Sequence, residues 1–334
     1  MTETLRVALL GAGAIADSHL DAIGLAPPFT AVAVADLDET KAQAVATRHG
    51  FAAYRDYREM IRHERPDVAV IALPHFLHRD AAVFAAEHGC HLMLEKPMAL
   101  SVAECDAIIE AGRRADIRIL VGHTQHYIAE NIEAKRIMDS GELGELVMIH
   151  DTRHTHYFQP SRPGWFLERA LSGGGILANL GTHSIDKLQW LSGRYVRKLS
   201  ASASYYGDRG DVEGSGMIYA ELEGGIPAAI VQSGYLGAQR NETELIFTRG
   251  MLKVATGESL WISRGGGYEE VDVDRSVSPF ALQYSDLLAA IKSGGQPSCT
   301  PAYARQVIAV LEAVYRSART GTEQKVGQVE EPSG

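Results

Sequence analysis

The first third of the chain alternates short apolar runs with segments that repeat apolar residues at helical spacing. Five of these runs have the length of buried strands: residues 6–10, 31–35, 68–72, 91–94 and 118–122. Such alternation predicts an α/β domain built on a doubly wound parallel sheet. Ser101 and Glu104 have the spacing of a capping box, which predicts a helix that begins directly after the segment 95–97.

The pattern changes beyond about residue 145, where longer β-like runs dominate. These runs are residues 145–154, 196–205, 216–223, 228–235 and 243–249. An open, mainly antiparallel sheet is the simplest arrangement for them, so this half is predicted to be an α+β domain. Helical patterns occur at 175–191, 279–292 and 301–319, the last with Thr300 as N-cap and Pro301 at its first position.

Length, composition and charge limit the function classes. With 334 residues and 46% hydrophobic content, the chain can form two domains, predicted at 1–123 and 124–320 with a polar tail at 321–334. The net charge of -10 argues against a nucleic-acid partner, and no run approaches the ~20 apolar residues of a membrane span. The three cysteines have no CxxC spacing, so we expect reduced thiols in a cytoplasmic protein.

The junction after the first apolar run carries the sequence GAGAIA, residues 11–16. Gly11 lets the chain reverse, Gly13 lets backbone approach a diphosphate, and Ala16 lets the helix pack close to the sheet. The helix N-terminus offers N–H groups and a positive dipole end to phosphates. Asp36 ends the second run, where a carboxylate can accept hydrogen bonds from a ribose hydroxyl. The prediction is dinucleotide binding, and the alternative is an ordinary strand-to-helix turn that needs small residues.

Lys96 is the first candidate catalytic residue. It follows the fourth predicted strand and precedes Pro97, whose bond to Lys96 could be cis. In doubly wound folds the carboxyl ends of the strands face the ligand crevice, so we expect Lys96 to point towards the substrate. The alternative is a surface lysine in a loop.

The second candidate segment is GGGILANLGTHSIDKLQWL, residues 173–191. Its three glycines are interpreted as a flexible start, and the remainder follows helical spacing. Asn179, His183 and Asp186 can share or border one helix face. His183 suits general acid or base work, with Asp186 orienting its ring, although a structural histidine is the alternative.

A third group has HxxH and HxH spacings that a metal could use: His123, Gln125, His126, His154, His156 and Tyr157. Metal ligand sets usually include carboxylates or cysteines at matched spacing. An enzyme that uses a nicotinamide dinucleotide also needs no metal to transfer hydride, so we expect no metal site. A hydroxyl-rich substrate pocket is the preferred interpretation, and surface histidines are the alternative. By position alone, four residues ahead of the triple glycine are candidate substrate contacts: Arg153, His154, Tyr157 and Trp165.

Taken together, five motifs resemble the Gfo/Idh/MocA family of oxidoreductases over residues 5 to about 320. They are GAGAIA, the segment 35–38, LPHFLH at 73–78, EKP at 95–97 and the segment 173–191. The resemblance implies an N-terminal Rossmann domain and a C-terminal open sheet, with substrate on one face and homo-oligomer contacts on the other. It also implies NAD(P)-dependent oxidation or reduction of a sugar or polyol hydroxyl.

The resemblance assigns roles to individual residues. Lys96 would hydrogen-bond the reacting hydroxyl, and His183 would accept or return its proton. Asn179 and Asp186 would contact or orient the substrate. The implied cofactor contacts are Gly11, Gly13, Ala14 and Ile15 at the diphosphate, Asp36 at the adenosine ribose, Leu73, Pro74 and His78 on the nicotinamide side, and Glu95 with Lys96 at the nicotinamide ribose.

Three positions depart from the family pattern. Asn179 stands where many members have aspartate, and an amide cannot carry a proton, so Asn179 would orient rather than react. His75 replaces the usual asparagine, and Gln125 with His126 replaces an arginine. Asp36 favours NAD over NADP because its charge repels a 2′-phosphate.

The leading hypothesis is therefore an NAD-dependent dehydrogenase of a sugar or polyol that forms a dimer or tetramer. One alternative is a glycoside-cleaving relative that oxidises a sugar only transiently and releases no NADH. Another is a non-catalytic regulator that senses NAD on the same scaffold.

Overall fold

The computed structural model describes residues 4–327. The chain folds into two compact units. The first contains the chain up to His123 together with Val277–Arg305, and the second contains Thr124–Ser276 and the chain from Gln306 onwards. Within residues 4–327, no helix is both long and apolar enough to cross a membrane.

A six-stranded sheet forms the centre of the first unit. Its strands are β1 (Leu5–Leu10), β2 (Phe29–Ala35), β3 (Ala52–Tyr54), β4 (Val68–Ile71), β5 (His91–Leu94) and β6 (Ile119–Val121). The order is β3-β2-β1-β4-β5-β6, and every neighbouring pair is parallel, which confirms the doubly wound prediction. Ligands bind such sheets beyond the carboxyl ends of the strands, where the order reverses between β1 and β4.

Ten α-helices accompany the sheets within the described residues, and two of them begin at predicted caps. They are α1 (Ala14–Leu25), α2 (Glu39–His49), α3 (Tyr57–Glu64), α4 (His78–Glu87), α5 (Val102–Ala115), α6 (Ala129–Asp139), α7 (Arg169–Ser172), α8 (Thr182–Ser192), α9 (Pro279–Ser293) and α10 (Pro301–Thr320). The Ser101 hydroxyl accepts a 3.2 Å hydrogen bond from the Glu104 N–H, and the Thr300 hydroxyl accepts one of 3.1 Å from the Tyr303 N–H. Both caps were predicted, and both are confirmed.

A nine-stranded sheet forms the centre of the second unit. Its strands are β7 (Leu146–His154), β8 (Val196–Ser204), β9 (Ser215–Leu222), β10 (Ile226–Ser233), β11 (Arg240–Phe247), β12 (Gly250–Ala255), β13 (Ser259–Ser263), β14 (Glu269–Val271) and β15 (Gln324–Lys325). The order is β14-β13-β12-β11-β7-β10-β9-β8-β15. The sheet is mainly antiparallel, as predicted, except that β7 and β10 run parallel. A parallel pair needs a long crossover, and α7, α8, β8 and β9 supply it here.

One predicted helix is divided in the structure. Within the predicted span 175–191, Leu177–Gly181 forms a π-helical turn, and α8 continues directly from Thr182. Such turns are rare and occur often at functional sites. α8 packs on one face of the second sheet, against β7 and β10. This packing fixes which residues of the helix can face a ligand.

Two details differ from a simple division of the chain at residue 123. The segment Val277–Arg305 groups with the first unit, in which α9 packs on α1 and Tyr284 of α9 contacts Phe29 of β2 edge-on at 5.3 Å. In the predicted polar tail, Gln324–Lys325 pairs with β8 as a short strand. Residues 328–334 of that tail lie outside the described residues. The domain limits themselves stay predictions.

Candidate active site

The glycine turn of the first unit has the shape that a dinucleotide requires. Gly11 has φ +105°, and a Cβ there would overlap the carbonyl oxygen of Ala72, so only glycine fits. Gly13 is the exposed N-cap of α1, and nothing lies within 4 Å of the position of its missing Cβ. Among the described residues no side chain caps this helix start. The turn therefore has room for a diphosphate beside the first N–H groups of α1.

Asp36 closes this turn from the end of β2. Its Oδ2 accepts a 2.8 Å hydrogen bond from the Ala12 N–H, and its Oδ1 accepts one of 2.9 Å from the Asp38 N–H. A carboxylate has about four acceptor positions, so capacity remains for a ribose hydroxyl. The Lys41 ammonium lies 3.4 Å from the Asp38 carboxylate. These residues fit NAD, whose adenosine ribose carries hydroxyls and no phosphate.

Glu95 lies in a hydrogen-bonded chain at the end of β5. Its Oε1 lies 3.1 Å from Nε2 of His19, whose Nδ1 lies 3.1 Å from the Tyr284 hydroxyl. Burial is the largest influence on the Glu95 pKa and raises it, but the hydrogen bond and charge of His19 together with the charge of Lys96 outweigh it. The pKa of Glu95 is therefore lowered, and the group is a carboxylate at neutral pH.

Lys96 follows at once and is partly exposed. Its backbone N–H donates to Glu95 Oε2 at 3.2 Å, and the Lys96–Pro97 peptide is cis, the form that the sequence left open. The anionic Glu95 thus fixes the backbone that carries the Lys96 ammonium.

His78 is enclosed by backbone. The ring is fully buried, with Nε2 at 2.8 Å from the Leu73 carbonyl oxygen and Nδ1 at 2.9 Å from that of Pro97. Burial lowers the pKa of His78, so the ring is neutral at pH 7 and donates to one of the two oxygens. In this position His78 links the segments that follow β4 and β5. Its expected contact with the nicotinamide stays a prediction, as do those of Leu73 and Pro74.

The triple glycine of the second unit is closely packed, so the interpretation of a flexible start is wrong. Gly174 has φ +155°, and a Cβ there would overlap the Tyr315 hydroxyl. A Cβ at Gly175 would overlap the carbonyl oxygen of Glu213. The buried Glu213 carboxylate accepts 2.9 Å hydrogen bonds from the N–H groups of Gly175 and Leu177 and from the Tyr315 hydroxyl. Burial raises the pKa of Glu213, which caps the helical segment carrying Asn179 and His183.

His183 has a different environment from its neighbours on α8. It is partly exposed, whereas Thr182, Ser184 and Ile185 are buried. Asp186, expected to orient the His183 ring, pairs with another imidazole, because its Oδ1 lies 2.7 Å from Nε2 of His126. The orienting role of Asp186 towards His183 therefore stays a prediction.

A buried ion pair fixes α8 on the sheet. Lys187 Nζ lies 2.7 Å from Asp151 Oδ1, and both side chains are almost wholly buried. Thr243 donates to the same oxygen at 2.6 Å, and Ser184 donates to Oδ2 at 2.5 Å. Burial alone would raise the pKa of Asp151. Lys187 and the two hydroxyls lower it by a larger amount, so the pKa of Asp151 is below its usual value. This network sets the rotation of α8 and hence the direction of His183.

Sequence reasoning missed Asp151, Lys187 and Glu213. One signal was available for Asp151. It occupies an inward position of β7, two residues after the buried Ile149, where the strand alternation predicts an apolar residue. A carboxylate at such a position needs a buried partner.

The aromatic candidates gather ahead of the triple glycine. Tyr157 is fully buried and hydrogen-bonds the Asn179 side chain, and its hydroxyl also donates to the Phe166 carbonyl oxygen at 3.4 Å. Trp165 stacks on Phe166 with ring centroids 3.7 Å apart. Arg153 and His154 lie on opposite faces of β7, because successive strand residues alternate. The Arg153 side chain lies on the same face of the sheet as Asp151, towards α8, whereas the His154 side chain lies on the opposite face.

The histidine-rich group is dispersed among separate contacts. His126 stacks on Trp190 with centroids 4.8 Å apart, and His123 meets Tyr303 edge-on at 6.3 Å. In the part of the chain that the structure describes, no group of three or more His, Cys, Asp or Glu side chains could hold a metal ion.

Comparison with known proteins identifies both units. Residues 5–123 match the model of an oxidoreductase family with an NAD-binding Rossmann fold, and residues 132–253 match the GFO/IDH/MocA C-terminal domain. Inositol 2-dehydrogenase of Salmonella paratyphi B is 24% identical over 339 residues, which cover 97% of each chain. D-glucoside 3-dehydrogenase of Escherichia coli is 30% identical over 193 residues, 57% of this chain and 54% of that one.

A solved structure agrees over nearly the whole chain. The aldose-aldose oxidoreductase of Caulobacter crescentus, complexed with glycerol, superposes with a TM-score of 0.90 at 25% identity and covers 97% of this chain and 100% of its own. The fold and the glycine turn thus define an NAD-binding oxidoreductase. The chain belongs to the Gfo/Idh/MocA family.

Proposed function

We propose that this protein oxidises a secondary hydroxyl of a sugar or polyol to a ketone, with NAD as hydride acceptor. The observation that carries the proposal is the partial exposure of His183 on a helix whose neighbouring residues are buried and which the Asp151–Lys187 pair fixes on the sheet. A partly exposed imidazole on a rigid element is suited to proton transfer. The names of the relatives, which include dehydrogenases of inositol and of a glucoside, support this substrate class.

Each polar residue has a defined role in this proposal. NAD supplies C4 of its nicotinamide as the hydride acceptor. Lys96 donates a hydrogen bond to the reacting oxygen, which stabilises the negative charge that develops there. His183 accepts the hydroxyl proton, and Asn179 orients the substrate because its amide cannot accept a proton.

The proposed cofactor contacts all belong to the first unit. The diphosphate is assigned to Gly11, Gly13, Ala14 and Ile15, and the adenosine ribose to Asp36. Leu73 and Pro74 are assigned to the nicotinamide side, and Glu95 to the nicotinamide ribose. Asp186 supports the substrate site through His126, with which it forms a buried pair.

A lysine substitution tests this function. Lys96→Met keeps the length of the side chain and removes the ammonium, so NADH formation should fall at least ~100-fold while NAD still binds. The measurements are NADH absorbance against a panel of monosaccharides, inositols and anhydrosugars, and calorimetric titration with NAD. Turnover near the wild-type rate would remove Lys96 from the mechanism. Sugar conversion without net NADH would instead favour a glycoside-cleaving reaction.

The proposal extends to assembly and location. The sheet face opposite α8 exposes apolar side chains, among them Met217 and Tyr219 on β9, which are 61% and 59% accessible. Solvent-exposed apolar clusters of this kind mark interfaces, so we assign this face to a homo-oligomer, a dimer or a tetramer. All three cysteines are buried thiols that form no disulfide among the described residues, which fits the reducing cytoplasm.

A further inference from the structure

Arg153 is a partly buried cation on the α8 face of β7. In the part of the chain covering residues 4–327, no hydrogen bond or ion pair joins its guanidinium to another protein group. Burial lowers the pKa of Arg153, which still leaves it protonated at neutral pH because arginine starts so high. A desolvated charge of this kind is costly unless a partner compensates it.

Asp151, the nearest carboxylate on the same face, compensates this charge only in part, because its charge raises the pKa of Arg153 by less than burial lowers it. Its Oδ1 already accepts from Lys187 and Thr243, and its Oδ2 accepts from Ser184. The group of Arg153, Asp151 and Lys187 thus contains two cations and one carboxylate. A carboxylate on a ligand would supply the second anion.

A buried acceptor lies beside this cation. Gln232 on β10 is the direct cross-strand neighbour of Arg153 and is only 1% exposed. Its Nε2 donates to the Ser184 hydroxyl at 2.8 Å, whereas its Oε1 has no donor among the described residues. Ser184 directly follows His183 in the sequence. Gln232 thus connects the strand position beside Arg153 to the residue that follows the proposed proton acceptor, within the second unit.

We propose that Arg153 forms a subsite for an acidic sugar, in which its guanidinium binds the substrate carboxylate. This inference rests on the proposed function and narrows its substrate class from sugars in general to uronates and aldonates. A guanidinium fork matches the two oxygens of a carboxylate, and a charged hydrogen bond of this kind is the strong type.

Matched pairs of neutral and acidic sugars test this subsite. Glucose with glucuronate and galactose with galacturonate differ only at the carboxylate. Wild-type enzyme should favour the acid of a pair by about 10- to 100-fold in kcat/KM. In calorimetric titration the acid should likewise bind more tightly, with a lower Kd than the neutral sugar. Arg153→Gln should remove most of that preference, and Arg153→Lys should retain part of it because the charge remains.

Arg240→Gln is the matched control. Arg240 lies on β11 next to Asn241, which is the cross-strand neighbour of Arg153. The Arg240 side chain is on the opposite face of the sheet, where the guanidinium pairs with the Glu242 carboxylate at 2.6 Å. This variant loses the same charge and should keep the wild-type preference for acids.

The outcomes separate the two proposals. Equal or better binding of the neutral sugars, an acid preference that persists in Arg153→Gln, or no measurable acid binding would each overturn the subsite. If no sugar is oxidised but Arg153-dependent acid binding is measured, the dehydrogenase proposal fails and the subsite stands.

Discussion

Glu95 shows how a single carboxylate connects protonation with stability. Its pKa is lowered in the fold, chiefly through His19 and against burial. A carboxyl group with a lowered pKa stabilises the fold at pH values above its unfolded pKa of about 4.3, and this contribution is lost as the pH falls through the folded pKa. The acid sensitivity of the first unit should therefore depend on this residue.

We predict that Glu95→Gln lowers the stability of the enzyme at pH 7 by about 1–3 kcal/mol, because the charged acceptor of His19 is lost. Between pH 7 and pH 3 the variant should lose less stability than the wild type, since the titrating group is absent. Urea midpoints across this range provide the measurement. Glu87→Gln, at an exposed position of α4, should follow the wild-type curve. Parallel curves for Glu95→Gln and wild type would contradict the assignment.

At the scale of elements, the helical segment that carries Asn179 and His183 depends on close contacts at both ends. Its start is capped by Glu213 and packed against Tyr315 through the glycines, and α8 is attached to β7 through Asp151 and Lys187. These contacts join residues far apart in the sequence. The helix therefore has one orientation only when the whole second unit is folded.

We predict that Gly174→Ala destabilises the protein by about 1–3 kcal/mol, since the residue combines φ +155° with an overlap against Tyr315. The melting temperature and kcat should fall together, because the start of the helical segment moves. Gly266→Ala is the control, since its Cβ would meet nothing within 4 Å. An unchanged melting temperature for Gly174→Ala would mean that this loop is not closely packed in solution.

We also predict that Lys187→Met costs about 3–5 kcal/mol, because it leaves the Asp151 charge buried without its cation. The double variant Asp151→Asn with Lys187→Met should be more stable than Lys187→Met alone. Chemical unfolding of the three proteins provides the comparison. A double variant no more stable than the single one would show that the Asp151 charge is compensated by other groups.

The sequence predicts the elements that depend on local pattern and misses those that depend on distant partners. The apolar runs identify five of the six strands in the first sheet, whereas β3 has only three half-buried residues. Strands β12, β13 and β14, which follow β11 closely along the chain, were also missed. The parallel pairing of β7 with β10 has no local signal at all.

The same distinction applies to the candidate site. GAGAIA and Asp36 could be predicted because a turn and a spacing define them. The packing of Gly174 could not, because Tyr315 lies more than a hundred residues away in the sequence. The pairing of Asp186 with His126 likewise depends on the fold that brings them together.

At the scale of the whole molecule, the exposed face of the second sheet determines the expected assembly. We predict that Tyr219→Glu places a charge in the oligomer interface and shifts the protein towards monomer, as measured by light scattering after size exclusion. Leu25→Glu, a similar change at a 70% exposed position of α1, should leave the mass unchanged. An unaltered mass for Tyr219→Glu would place the interface elsewhere.

The grouping of Val277–Arg305 with the first unit has a consequence for biosynthesis. A ribosome releases the glycine turn long before Tyr284, which contacts Phe29 and hydrogen-bonds His19 but emerges only after strands β7 to β14. The nucleotide-binding half of a nascent chain thus keeps an apolar surface uncovered until α9 has been made, and its folding is completed only after that point.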